Sequence, residues 1–221
     1  MSSRPEKKTH RSADARSNLD RPALAPQRSV GRERVAAVMA AASRVIQERG
    51  YEAATMAEIA ERADTKVGSL YRFFPNKELL ADALMQRYDE LREVQCAEID
   101  ARASVMPLHE LADRLVNSIA EIYDETRALV ALLDARSEWA GKRLEYRKKT
   151  LKRIAHTLQL RAPTLPEDSV GDIAVVLLNN MKTMVAMTLD RSAPSSLGGP
   201  DELRLMNRLY LAHKLAPYER T

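Results

Sequence analysis

The chain has 221 residues, of which 45% are hydrophobic and 30% are charged, so it is long and apolar enough to build a folded core. No stretch reaches the roughly eighteen uncharged apolar residues of a membrane helix, and the polar, basic N-terminus lacks the apolar segment of a secretory signal. The single cysteine, Cys96, excludes an internal disulfide framework. We therefore expect a soluble, cytoplasmic protein that makes no membrane contact.

Positive charge is concentrated in the first 31 residues. Seven basic and three acidic side chains give this segment a net charge of +4, which equals the net charge of the whole chain. The segment contains prolines and few apolar residues, so it has too little surface to bury to offset the entropy lost on ordering. We expect residues 1–31 to form a disordered basic arm. A solvated tail and an arm that contacts DNA phosphates both remain open.

Three short helices are predicted after the arm. Apolar residues recur at helical spacing over 32–49. Thr55 and Glu58 have the spacing of a capping box, which predicts that a second helix begins at Thr55. A third helix is predicted over about 66–74, with Thr65 as a good N-cap.

Long amphipathic helices follow, and no segment has the alternating pattern of a strand. Their predicted bounds are about 76–102, 107–125, 127–138, 141–161, 167–190 and 201–216. The sequence SAPSSLGGP at 192–200 is the clearest loop. The fold class predicted from these patterns is all-α.

The third helix has an unusual outer face. Its predicted buried stripe consists of Val67, Leu70 and Phe74, and the opposite face consists of Gly68, Ser69 and Arg72. A glycine inside a helix costs about 1 kcal/mol relative to alanine, so Gly68 on an exposed face indicates that another molecule approaches the backbone closely. A DNA major groove, which admits one helix, fits this requirement. The alternative is a small three-helix hairpin with an ordinary polar surface.

A phosphate-binding feature is also predicted where the chain turns at Pro75. Asn76 can cap a new helix, and the first N–H groups of that helix together with the Lys77 ammonium would bind a phosphate. Tyr71, beside the buried stripe of the third helix, could also contact a phosphate with its hydroxyl.

The order of these residues resembles the helix-turn-helix of the TetR (tetracycline repressor) family over about residues 33–88. The residues in register with that motif are Thr55, Ile59, Ala60, Ala63, Gly68, Ser69, Leu70, Tyr71, Phe74, Lys77 and Leu80. The resemblance implies a DNA-binding domain at 32–78, with its motif at about 55–74. It also implies a helical domain at 79–221 for regulation, ligand binding and dimerisation.

The motif departs from the family pattern at its turn. Asp64 replaces the usual glycine, Thr65 the usual valine and Lys66 the usual serine or threonine. We expect Asp64 to adopt a positive φ, Thr65 to take over capping, and Phe73 to pack in the core. Lys66 would contact a guanine or a phosphate. The candidate DNA-binding residues are Thr55, Lys66, Val67, Gly68, Ser69, Tyr71, Arg72 and Lys77.

The resemblance further implies a homodimer formed by the last two long helices and a small-molecule cavity. The predicted helix 167–190 is apolar on two faces, which fits two neighbours, although packing within one subunit is the alternative. The candidate dimer-interface residues are Val170, Ile173, Leu177, Leu203, Met206 and Tyr210. The candidate pocket residues are Tyr88, Leu91, Ile119, Tyr123, Leu133, Trp139, Met181 and Met184.

The function predicted from these features is a ligand-responsive transcriptional regulator. We expect a homodimeric repressor that binds a palindromic double-stranded DNA operator and is released by a small lipophilic or aromatic effector. The alternative is a constitutive DNA-binding or partner-binding helical module without a small-molecule input.

Enzyme chemistry, a cofactor and a metal site are not expected, because the four histidines lie in separate segments. His109, Glu110 and Asp113 could share one helix face as metal ligands, but acidic residues at a helix start are the simpler explanation. A basic run at 142–153 is either a solvated face or a second nucleic-acid surface.

Overall fold

The computed structural model describes residues 29–134, 140–189 and 198–218, and every regular element in these ranges is helical. In chain order the elements are α1 (Ser29–Arg49), α2 (Met56–Arg62), α3 (Val67–Phe73), α4 (Lys77–Asp100), α5 (Leu108–Glu121), α6 (Tyr123–Thr126), α7 (Leu129–Asp134), α8 (Ala140–Arg161), α9 (Glu167–Leu189), α10 (Gly199–Leu215) and a 3-10 helix (Ala216–Tyr218). The predicted all-α class is confirmed. Residues 1–28 of the basic arm and residues 192–197 of the predicted loop at 192–200 lie outside the described residues.

Several helix bounds differ from those predicted. α1 begins at Ser29, so the last three residues assigned to the arm are helical. α10 begins at Gly199 rather than 201, because the fixed φ of Pro200 suits the first turn of a helix. The segment predicted as one helix over 107–125 is divided at Ile122, where α5 ends and α6 begins.

The core of the N-terminal half includes a helix from much later in the chain. One hydrophobic cluster is formed by side chains from α1, α2, α3 and the first half of α4. Leu132 of α7 and Ala128, just before α7, also belong to this cluster. The buried side chains of this cluster include Val38, Ile46, Ile59, Leu70, Leu84 and Leu132. The three N-terminal helices therefore share their core with residues from the second half of the chain.

A second core lies between α5, α8, α9 and α10, and α9 packs against the other three helices. The segment Glu167–Thr188 of α9 is long and apolar enough to cross a membrane by length and composition alone. Its buried face, however, carries Ile173 and Leu177, which belong to this core. α9 is thus the central helix of a bundle, with an outer face left exposed.

α4 connects the two cores. Its 24 residues span about 36 Å, with Leu80 and Tyr88 in the first core and Ile99 in the second. Three ion pairs join it to α8: Asp82 with Lys142, Asp89 with Lys149, and Glu93 with Arg153. The partners are sixty positions apart in every pair, so α4 and α8 run parallel. Three cations of the basic run at 142–153 therefore face α4 rather than a nucleic acid.

Candidate nucleic-acid interface and ligand cavity

α2 begins at a side-chain cap. Thr55 Oγ1 accepts a hydrogen bond from the backbone N–H of Glu58 at 3.2 Å. The carboxylate of Glu58 does not return to the cap but forms ion pairs with Arg49 and Arg62, each at 3.5 Å. Half of the predicted capping box is therefore present, and Glu58 instead ties α2 to the end of α1.

The turn between α2 and α3 is closed by two backbone hydrogen bonds around Asp64. Asp64 has a φ of 47°, which confirms the positive φ expected where the family has glycine. The N–H of Thr65 bonds to the carbonyl of Ala60 at 2.9 Å, and the N–H of Asp64 bonds to that of Glu61 at 3.1 Å. These are the two bonds of a Schellman motif. The α2–α3 turn therefore forms without a glycine.

The start of α3 differs from the prediction. Lys66, not Thr65, is the N-cap residue, and its side chain makes no capping hydrogen bond. The prediction that Thr65 caps α3 is therefore wrong, because the Schellman motif places Thr65 in the turn one residue before the cap position.

The buried face of α3 is also shifted from the predicted stripe. Leu70 and Phe73 are buried, as is Phe74 just after the helix, whereas Val67 is 40% exposed. The prediction that Val67 is buried is wrong because it lies in the first turn of α3, which projects beyond the core. The packing predicted for Phe73 is confirmed.

The other side of α3 faces outward. Lys66, Gly68, Tyr71 and Arg72 are exposed, and Ser69 is half-buried. A Cβ atom built on Gly68 would meet no heavy atom within 4 Å. Nothing inside the protein therefore requires glycine at this position, which strengthens the argument that its small size serves an external partner.

The ammonium group of Lys77 is not free to bind a phosphate. Nζ donates hydrogen bonds to the carbonyls of Tyr51, Glu52 and Ala54 at 2.8, 3.0 and 3.2 Å. It also lies 4.5 Å from the centroid of the Tyr51 ring. The role predicted for this ammonium is corrected: it binds the segment between α1 and α2. Any phosphate contact at the start of α4 would have to use backbone N–H groups, beside an Asn76 side chain that accepts from the N–H of Leu79 at 2.8 Å.

A cavity of about 530 Å³ is lined by residues from α4 to α9. Among the predicted pocket residues, Ile119, Tyr123 and Leu133 line it. Tyr88 and Leu91 instead line a separate groove beside α1. Met181 is buried in the second core and Met184 is buried in a small cluster with Val116 and Leu203, and neither residue lines the cavity. Trp139 lies outside the described residues.

The polar groups of this cavity were not predicted. Arg92, Arg127, Arg143, Arg147 and Lys182 line it, and no carboxylate does so among the described lining residues. Tyr146 also lines it; burial raises the pKa of its hydroxyl, while the charge of Arg92 opposes the rise. Arg143 and Arg147 belong to the basic run, but only the fold shows that they point away from the cations paired with α4.

Four of the six predicted dimer-interface residues are buried within one subunit. These four are Val170, Ile173, Leu177 and Leu203. Their assignment to a dimer interface is wrong, because this side of α9 and α10 packs against the rest of the bundle. The exposed apolar side chains of the two helices are Val175, Val176, Met187, Leu205, Met206 and Leu209. Tyr210 is half-buried.

The acidic residues at the start of α5 form ion pairs. Asp113 accepts two hydrogen bonds from Arg208, at 2.8 and 2.5 Å, and Glu110 lies 3.5 Å from Arg102. Among the described residues, no group of three or more histidine, cysteine, aspartate or glutamate side chains could hold a metal ion.

Sequence comparison places the N-terminal helices in a known family. Residues 38–84 match the bacterial regulatory proteins of the tetR family. The repressor KstR of Mycolicibacterium smegmatis is 43% identical over 61 residues, which are 27% of this chain and 30% of that protein. KstR of Rhodococcus jostii is 34% identical over 99 residues, covering 44% and 42% of the two chains. The matched regions thus span less than half of the length of each of these two relatives.

Solved structures share the fold over most of the chain. A TetR-family regulator from Mesorhizobium loti has a TM-score of 0.63 at 19% identity, covering 87% of this chain and all of that one. SmeT in complex with triclosan has a TM-score of 0.57 at 18% identity, covering 85% and 92%. AibR in complex with isovaleryl coenzyme A and operator DNA has a TM-score of 0.54 at 18% identity, covering 81% and 97%.

Proposed function

We propose that this chain, which is a TetR-type transcriptional regulator and not an enzyme, acts as a homodimeric repressor of a palindromic operator and leaves it when a small effector binds. The observation that carries the proposal is the outer face of α3, where Gly68 has no neighbour within 4 Å of its missing side chain. The proposed site of action is the cytoplasm, where the operator would be found.

The geometry of α3 supports insertion into a major groove. Leu70 and Phe73 anchor the helix on the first core, so its small outer residues project away from the protein. Lys66 and Arg72 stand at the two ends of this face, where they can reach a base edge or a phosphate. Tyr71 is exposed beside them and offers a hydroxyl donor.

The cavity supports a small-molecule input. Its volume of about 530 Å³ lies within the usual range of ligand sites, about 300–1,000 Å³. Most of its wall is apolar, from residues such as Ile119, Leu129 and Leu178. SmeT with triclosan and AibR with isovaleryl coenzyme A are proteins of the same fold that carry small molecules. A constitutive DNA-binding module, the alternative, would have no use for this cavity.

Operator selection from a random DNA pool, followed by Gly68→Ala, tests the DNA-binding part. The selected sites should be palindromic, with half-sites about 34–36 Å or a multiple of this apart. Gly68→Ala should keep or raise the melting temperature, because alanine favours the helix by up to about 1 kcal/mol. It should weaken operator binding by about tenfold, roughly 1.4 kcal/mol, because the added methyl group separates α3 from the groove.

Gly141→Ala is the matched control. Gly141 also lies in a helix with no atom within 4 Å of a built Cβ, but it is on α8, away from the DNA-binding helices. This variant should bind the selected operator as the wild type does. Equal operator affinity of the Gly68→Ala variant and the wild type would refute the insertion of this face into a groove.

A further inference from the structure

The electrostatic character of the cavity is one-sided. Five cationic side chains line it beside an otherwise apolar wall, and the described lining residues include no aspartate or glutamate. Cations that share a low-dielectric space repel each other, and this repulsion is relieved when an anion enters between them. The cavity therefore favours a negatively charged occupant over a neutral one of the same shape.

Arg92 is the most deeply placed of these cations. Its side chain comes from α4, the residue is only 4% exposed, and its Nε atom is buried without a hydrogen-bond partner. The hydroxyl of Tyr146, on the same cavity wall, is also buried without a partner. Buried polar groups are nearly always hydrogen-bonded, and a buried charge without a partner is particularly unfavourable. Two residues of one cavity wall therefore each carry a buried donor without a protein partner.

The other cations differ in how far the protein already satisfies them. Arg127 donates to Asp124 and Gln47, and Arg143 donates to the carbonyl of Leu133. In the described part of the chain, no hydrogen bond or ion pair involves Arg147 or Lys182, which are less buried than Arg92. The groups without a protein partner thus extend from the interior of the cavity to its rim.

We infer that the effector is an amphiphilic anion, with an apolar body against the leucine and isoleucine wall and an anionic oxygen group held by the Arg92 guanidinium and the Tyr146 hydroxyl. This inference rests on the proposed effector function of the cavity and names the chemical class of the effector. A carboxylate and a phosphate monoester share the required chemistry, since arginine binds both through paired N–H···O bonds. An uncharged effector could accept a hydrogen bond but would leave the buried charge of Arg92 uncompensated.

A structural role for Arg92 is the competing explanation. Asp89 Oδ1 is also buried without a hydrogen-bond partner and lies 3.9 Å from Arg153 Nη1. The other carboxylate oxygen, Asp89 Oδ2, pairs with Lys149 at 2.9 Å. If Arg92 only balanced the charge of Asp89, replacing it would lower stability and leave ligand preference unchanged. The headgroup preference of the cavity therefore separates the two roles.

Four probes with the same ten-carbon chain test the inference: decanoate, decyl phosphate, decanol and decylamine. Their dissociation constants are measured by calorimetry on the full-length protein and on the Arg92→Met and Arg102→Met variants. Decanoate or decyl phosphate should bind at least about tenfold more tightly than decanol, and decylamine most weakly. The anion that binds more tightly shows whether the cavity prefers a carboxylate or a phosphate headgroup. Arg92→Met should remove the preference for the anion while keeping the affinity for decanol.

Arg102→Met is the control, because Arg102 is an exposed arginine just beyond α4 and outside the cavity wall. It should keep the preference of the wild type. Equal binding of decanol and the anions would overturn the anionic class but keep the cavity as an effector site. If no probe binds, the inferred effector class is also overturned. Operator selection tests the proposed DNA-binding function independently of this result. A preference that survives in Arg92→Met would assign the anion to other residues.

Discussion

Lys77 acts on the stability of the DNA-binding helices through contacts that the sequence did not reveal. A lysine at the start of a helix, beside an Asn cap, has the pattern of a phosphate contact. The fold places the carbonyls of Tyr51, Glu52 and Ala54, which lie between α1 and α2, within reach of its ammonium. A charged donor that bonds three carbonyls holds the α1–α2 segment against the start of α4.

Lys77→Met should therefore lower the free energy of unfolding by about 1–3 kcal/mol, because the carbonyls lose a charged hydrogen-bond donor. The salt dependence of operator binding should change little. Lys66→Met is the matched comparison, since Lys66 is exposed on the outer face of α3. It should keep the stability and reduce the magnitude of the slope of log K against log salt by about 0.9 for each subunit of the proposed dimer. Denaturant titration and binding at several salt concentrations measure both quantities, and the opposite pattern would restore Lys77 as the phosphate contact.

Features set by neighbouring residues in the sequence were predictable, whereas burial that depends on distant parts of the chain was not. The positive φ of Asp64 and the cap of Asn76 follow from their neighbours in sequence, and both are confirmed. The burial of Val67 was predicted from helical periodicity alone. It failed because periodicity gives the direction of a side chain but not whether another element lies there.

At the scale of elements, α7 belongs to both halves of the molecule. Leu132 on one side of this helix is buried in the first core with α1 and α4. Leu129, Val130 and Leu133 line the cavity. The same stretch of chain therefore contacts both the DNA-binding helices and the proposed effector, which makes α7 a second connection besides α4.

Hydrogen bonds extend this connection to α1. Gln47 Nε2 donates to the hydroxyl of Tyr123 at 3.3 Å, and Arg127 Nη1 donates to Gln47 Oε1, also at 3.3 Å. Tyr123 and Arg127 both line the cavity. An effector that moves either side chain would thus change the contacts of α1 directly.

Gln47→Ala should weaken the coupling between effector and operator. The neutral bond to Tyr123 contributes about 0.5–1.5 kcal/mol and the bond from the charged Arg127 about 1.5–3 kcal/mol, so the coupling factor should fall by about threefold or more, while each separate affinity changes little. The coupling factor is obtained by titrating decanoate with and without operator, and linkage requires the same factor in the reverse titration.

Gln86→Ala is the control for this measurement, because Gln86 is exposed on α4 and bonds only to Glu90 one turn away. Its coupling factor should equal that of the wild type. An unchanged factor in Gln47→Ala would leave α4 and α7 as the routes between the sites.

The breaks between helices were harder to predict than the helices themselves. The division at Ile122 contains no glycine or proline, so no local signal marks it. Thr126 just beyond the break is buried, which indicates packing against other elements, and its hydroxyl bonds locally to the carbonyl of Ile122. The cavity depends on this break, because Ile122, Tyr123 and Thr126 all line it.

At the scale of the whole molecule, the two-faced pattern of α9 was correctly recognised, but its faces were assigned in the wrong order. The more regular apolar stripe, with Ile173 and Leu177, is the one that packs inside the subunit. The remaining exposed apolar side chains of α9 and α10 are the surface available to a second copy. An isologous dimer places the same patch of both subunits against each other, so a small patch on each is sufficient to define the interface.

Leu209→Glu should convert the proposed dimer to a monomer. Leu209 is the most exposed of these apolar side chains, at 63%, so the substitution removes little packing within the subunit and should leave the melting temperature of the monomer nearly unchanged. In a symmetric interface it would bury two like charges, which should raise the dimer dissociation constant by at least about thirtyfold. Operator binding should weaken with it, because a palindrome needs two linked α3 helices.

Val105→Glu, at a 79% exposed valine away from α9 and α10, should remain dimeric. Sedimentation at micromolar concentration measures both variants, and a Leu209→Glu protein that still sediments as a dimer would place the interface elsewhere.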